Sequence, residues 1–178
     1  MATTRAPDPT RLGAVELAAL TRSGGLRVEQ VATAVAERIA ERDPTVRAWA
    51  HYDAEALLDR ARALDEGPHR GPLHGVPLAV KDVFLTRDLP TGQGSPRWAG
   101  HRPGLDAALV ETLRSAGALI VGKSVTTEFA ATLRGAATRN PLDPARTPGG
   151  SSSGSAAAVA DRQATLAIGT QTGGSTIR

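Results

Sequence analysis

Residues 71–84 read GPLHGVPLAVKDVF, two Gly-Pro-rich turns followed by an apolar run, Val76 to Phe84, that is broken by charge only at Lys81 and Asp82. A run of that length bounded by glycine and proline predicts a strand buried on both faces. The pattern then alternates. Leu105 to Ala116 has helical spacing, Ala118 to Val121 is a short apolar strand, Ser155 to Ala160 is a small-residue helix, and Ala164 to Ile168 is a further strand leading into Gly169. Strands alternating with helices predict α/β architecture.

Upstream the spacing is helical. Leu12, Val15, Leu17 and Leu20 mark one amphipathic helix over 11–21, and Val31, Val35 and Ile39 mark another over 28–40, joined at Ser23-Gly24-Gly25. A short apolar stretch at Val46 to Trp49 precedes a third helix that Asp53 or a neighbour can cap and that runs through Leu64. Residues 1–68 thus form an N-terminal helical region and residues 69–178 an α/β core.

Composition narrows the function. The 178 residues carry a net charge of +3 with no basic block and 3% aromatic residues, which argues against nucleic-acid binding. No stretch approaches the roughly 20 apolar residues of a membrane span, and the opening MATTRAPDPTRLG lacks the apolar core of a secretory signal, so a cytoplasmic location is expected. Cysteine is absent and the four histidines, His51, His69, His74 and His101, are scattered in surface or loop contexts. No metal or cofactor is therefore expected. Only two of the 21 basic residues, Lys81 and Lys123, are lysine. Where any cation serves, an arginine bias leaves arginine; a retained lysine is a candidate for chemistry in which the proton must be given up.

Residues 117–124, GALIVGKS, satisfy the phosphate-loop pattern G-x-x-x-x-G-K-[ST]. The pattern needs a strand before the first glycine and a loop between the glycines, whereas here a helix precedes and Ala118 to Val121 are themselves the strand. Nucleotide binding is set aside, and Lys123 reads as a surface strand-end lysine or a supporting cation.

Three segments remain: GVPLAVKDVF with Lys81, TPGGSSSGSAAAVA from Thr147, and GTQTGGSTIR from Gly169. A Gly/Ser cluster is commonly a linker. Here it runs directly into a helix and a strand and is answered by Gly173-Gly174-Ser175. Adjacent glycines can turn several N–H groups towards one point, as an oxyanion hole requires, with a serine nucleophile beside it. That serine needs a base. Lys81, desolvated in its apolar run, can supply a neutral amine. The competing reading, an ion pair of Lys81 with Asp82, is outweighed by the scarcity of lysine and by the two serine motifs.

Together these segments resemble the amidase signature family, and TTEFA (126–130) and NPLDPARTPGG (140–150) also look like family segments. The resemblance runs from about Gly71 to the end. It implies a mixed central sheet flanked by helices, incomplete in this chain, after an N-terminal helical segment. Residue by residue it implies Lys81 as base, Ser151 as the serine on a cis peptide bond and Ser175 as nucleophile, with Ser152 and Ser153 set aside as relays. Thr172, Gly173, Gly174 and Ser175 would hold the oxyanion. Departures stand at Ser153, where glycine is usual, at Gln171, where many members have aspartate, and at Arg178, one position later than the commonest pattern. Family members run to several hundred residues, so the chain reads as an N-terminal part, inactive alone, of an amidase that hydrolyses a small-molecule amide. A homodimer is one assembly open to the full-length form. The alternatives are a non-catalytic remnant and the A-type subunit of a tRNA-dependent amidotransferase; the stretch 82–96, DVFLTRDLPTGQGSP, looks more like the general amidases and ranks the amidotransferase last.

Overall fold

The computed structural model describes residues 7–131 and 137–177. Residues 1–6 of the opening stretch and Arg178 lie outside the described residues. The helices are α1 (Ala14–Ser23), α2 (Val28–Val46), α3 (Ala54–Glu66), α4 (Ala108–Ser115) and α5 (Ser153–Ala160), and the strands are β1 (Trp49–Tyr52), β2 (Pro77–Lys81), β3 (Leu119–Ser124) and β4 (Leu166–Ile168). The fold is α/β, with a mixed four-stranded sheet in the order β1-β3-β2-β4 and helices against it. β2 lies between β3 and β4, parallel to both, and β1 adds antiparallel to β3.

Helix ends follow local chemistry. Gly24 closes α1 in the left-handed region at φ 73. The first free N–H groups of α2, those of Val28 and Glu29, donate to the Asp65 carboxylate of α3 at 2.8 and 2.9 Å, which ties the two helices together. Asp53 caps α3 by accepting from Ala56 N at 3.0 Å. The helix expected over 28–40 continues through Pro44 to Val46, and Arg47 ends it at φ 55. The stretch 46–49 leads into a strand that helical spacing did not reveal, β1. No helix among the described residues is long and apolar enough to cross a membrane.

The sheet has two apolar faces. On one, Leu119 and Val121 pack with Val28, Val35, Ile39, Leu57 and Ala61 of α2 and α3, and Ala79 packs with Ala157 and Ala158 of α5. On the other, Leu78, Val80 and Ile120 pack with Val110 of α4 and Leu89. The β2–β3 register slips between Leu78 and Ala79: Leu78 faces Ile120, Ala79 faces Gly122, and Val80 faces Lys123. This bulge at Val121 reverses the alternation of β3 and turns Lys123 to the side of Leu78 and Val80.

Helix α5 can lie against the sheet only because its second residue is glycine. A β-carbon at Gly154 would collide with Ala48 O and Val125 N, backbone atoms that cannot swing away. Gly154→Ala is expected to destabilise the fold by about 1–3 kcal/mol or more, as overpacking does. The check is the denaturant midpoint at unchanged m-value; a midpoint equal to wild type would show that α5 shifts freely.

Candidate active site

Lys81 is the last residue of β2 and is fully buried. Its ammonium donates to three hydroxyls, Ser151 Oγ at 2.8 Å, Ser152 Oγ at 3.0 Å and Thr170 Oγ1 at 2.6 Å. Three donors meet three neutral acceptors, and no carboxylate among the described residues pairs with it. Asp82, next in sequence, points to the opposite face of the strand and pairs with Lys123 at 2.9 Å. Burial without a counter-charge pulls Lys81 down from its ordinary 10.5 to about 8. The amine is thus within reach of deprotonation near neutral pH.

Lys123 corrects the surface reading. It is fully buried, and besides Asp82 it donates to Pro90 O at 3.1 Å and Thr91 Oγ1 at 2.7 Å. Burial lowers its pKa and the Asp82 carboxylate opposes this. Asp82 in turn accepts from Gly92 N at 3.1 Å, so the pair anchors the loop after β2. The two lysines have opposite electrostatic settings, one with a carboxylate and one with hydroxyls alone. Two histidines also differ from expectation: His51 lies within β1, and His74 is buried in its turn, accepting from Arg70 N through Nδ1 at 3.2 Å.

Ser151, Ser152 and Ser153 lead into α5, and the Gly150–Ser151 peptide is cis. Their hydroxyls have different surroundings. Ser153 Oγ faces Val125 O and Thr138 Oγ1, both at 3.5 Å and away from Lys81. Ser152 Oγ is saturated: it donates to Thr170 O at 3.1 Å and accepts from Thr170 N at 3.2 Å and from Lys81. Ser151 Oγ has Lys81 as its one partner among the described residues, which leaves its proton without an acceptor. Thr170, which no motif singled out, supplies the shortest contact to Lys81; nothing in GTQTGGS distinguishes it from Thr172.

The segment from Gly169 to Ile177 runs from the end of β4 across Ser152. A β-carbon on Gly169 would sit 2.8 Å from Ser152 Oγ, so glycine permits the close passage. Ser152 N donates to Ser175 O at 3.1 Å, which fixes the Ser175 backbone beside the Lys81 cluster. Gln171 Oε1 accepts from Thr176 N at 3.2 Å and Ile177 N at 3.3 Å and braces the turn that carries Ser175. Gly174 has φ 130. Among the described residues the N–H groups of Thr172, Gly173, Gly174 and Ser175 donate to no acceptor, and no hydrogen bond joins Ser175 Oγ to Ser151 or Lys81.

Comparison with known proteins places the chain in a family. The Amidase family profile matches residues 30–178. The A-type subunit of the glutamyl-tRNA(Gln) amidotransferase from Acidothermus cellulolyticus is 49% identical over 177 residues, covering 94% of this chain and 35% of its own length. The solved peptide amidase of Stenotrophomonas maltophilia superposes with a TM-score of 0.86 at 38% identity, over 95% of this chain and 38% of that one. A fatty acid amide hydrolase superposes at 0.88 with 26% identity, over 95% of this chain and 32% of that one. The chain spans about a third of the length of these relatives. By the reach of the profile and the identity along nearly its whole length, the chain belongs to the amidase signature family.

Proposed function

We propose that the chain carries the catalytic residues of an enzyme that cleaves the C–N bond of a small-molecule amide through an acyl-enzyme on Ser175. The observation that carries this reading is Lys81, a buried lysine whose partners are hydroxyls and whose pKa is drawn to about 8. A structural lysine would be expected to have a carboxylate, as Lys123 has. In its neutral form Lys81 Nζ takes the Ser151 proton while Ser151 Oγ takes that of Ser175, and the Ser175 oxygen attacks the amide carbonyl. In this reading Ser175 Oγ comes within hydrogen-bond reach of Ser151 Oγ when substrate is bound, since catalytic hydrogen bonds form fully in the substrate complex. The N–H groups of Thr172, Gly173, Gly174 and Ser175 are free to receive the oxyanion. On collapse the C–N bond breaks, and the proton returns from Lys81 through Ser151 to the leaving amine. Water then releases the acid by the same relay.

The test is covalent trapping. A full-length form treated with a fluorophosphonate is expected to carry one adduct on Ser175 by peptide mass spectrometry, absent from Ser175→Ala. Labelling of another residue would refute the nucleophile, and a folded full-length form that never labels would be the non-catalytic remnant.

A second reading, the A-type subunit of an amidotransferase, gains from the 49% identity to such a protein, against 38% to the peptide amidase. Both readings use the same acyl chemistry. They separate on whether amide cleavage by the full-length form proceeds alone or requires added partner chains.

A further inference from the structure

Three non-glycine residues with left-handed backbone lie in two loops that touch: Gln93 at φ 54, Phe129 at φ 50 and Ala130 at φ 56. Such conformations persist only where surrounding contacts enforce them, and they gather at functional sites. Here the contacts form a closed circuit. Gln93 N donates to Asp82 O at 3.0 Å, Phe129 N donates to Gln93 O at 2.8 Å, and Thr127 N donates to Ser151 O at 3.3 Å. Ser151 Oγ returns the circuit to Lys81, whose neighbour is Asp82. The base and its serine are therefore joined twice, once directly and once through the loops 90–95 and 126–130. The backbones are in close contact as well: a β-carbon on Gly94 would lie 2.7 Å from Thr126 O.

One side-chain contact clasps the two loops. Ser95, itself buried, donates to Glu128 Oε1 at 2.7 Å. A hydrogen bond to a carboxylate is stronger than a neutral one, and this one sits a single residue from Thr127. We propose that Glu128 is a positioning residue for Ser151: clasped by Ser95, it holds Thr127 against the Ser151 carbonyl and so sets the Ser151 hydroxyl against Lys81. The proposal rests on the reading of Ser151 as relay.

Glu128 is exposed, so its replacement leaves the core intact. In a full-length form, Glu128→Ala is expected to lower kcat about 10- to 100-fold, as a misplacement of about 1 Å does. KM should stay within about twofold, since substrate binding is not the function disturbed. Glu128→Gln keeps an oxygen for Ser95 and should restore most of kcat. The acid limb of the pH–rate profile should move to lower pH in the alanine variant, because an ammonium that loses a hydroxyl acceptor deprotonates more readily. Wild-type kcat in both Ser95→Ala and Glu128→Ala, in an enzyme that Ser151→Ala inactivates, would overturn the proposal. So would a loss of kcat with an unmoved acid limb, which is the mark of a general structural role. If Ser151→Ala retains full activity, it is the relay itself that fails.

Discussion

Lys81→Ala in a full-length form is expected to lower kcat/KM by about 10²–10⁴-fold, the usual contribution of a positioned general base. Lys81→Arg should do nearly as much damage. A guanidinium keeps its proton at any pH the protein survives, and its planar fork does not fit three hydroxyls arranged around one nitrogen. The wild-type profile of kcat/KM should rise with pH around a midpoint near 8, where Lys81 becomes neutral. Near-normal activity of the arginine variant, or a profile flat between pH 6 and 9, would remove Lys81 from the mechanism. Stability should respond to the same group. Its pKa is about 8 folded against 10.5 for the ordinary lysine, so between these values the unfolded chain binds more protons and stability rises with pH. Below about 8 both states hold the proton and the penalty of the buried ammonium is constant. Lys81→Met should abolish this rise, a readout independent of catalysis.

Ser151→Ala and Ser152→Ala are expected to part company although both hydroxyls touch Lys81. Ser151 Oγ makes one contact among the described residues and has a proton to pass on. Its loss removes the relay and should lower kcat/KM by about 10²–10⁴-fold with little change in melting temperature. Ser152 Oγ is held by the N–H and carbonyl of Thr170 as well as by Lys81. Its loss leaves the half-buried N–H and carbonyl of Thr170 without their partner, at up to about 1–3 kcal/mol, so the larger effect should be a lowered melting temperature. The comparison requires melting curves and steady-state kinetics on the same preparations. A Ser152 variant more damaged in kcat/KM than the Ser151 variant would exchange their roles.

How much of this was legible in the chain differs by level. Helix and strand periodicity, the Ser23-Gly24-Gly25 joint and the capping signal around Asp53 place most of the elements, because those signals are local. β1 escaped because four residues at the edge of the sheet, three half-buried and Ala50 exposed, have too little apolar pattern to read. The three catalytic candidates were legible through the motifs that surround Lys81, Ser151 and Ser175. The contacts of Thr170 with Lys81 and of Glu128 with Ser95 were not, since each is made only when distant segments meet.

The two lysines mark the boundary most sharply. Composition alone singled them out, and strand alternation alone sends Lys81 and Asp82 to opposite faces of β2. Local pattern was therefore enough to put a buried lysine at a strand end beside serine-rich turns. Which lysine is left without a carboxylate depended on how the strands pair. The bulge at Val121 turns Lys123 to the face of Asp82, which it neutralises, and leaves Lys81 facing Ser151, Ser152 and Thr170. A bulge is a register relation between two strands 38 or more residues apart along the chain. No local pattern encodes such a relation, and it determines which amine is free to lose its proton.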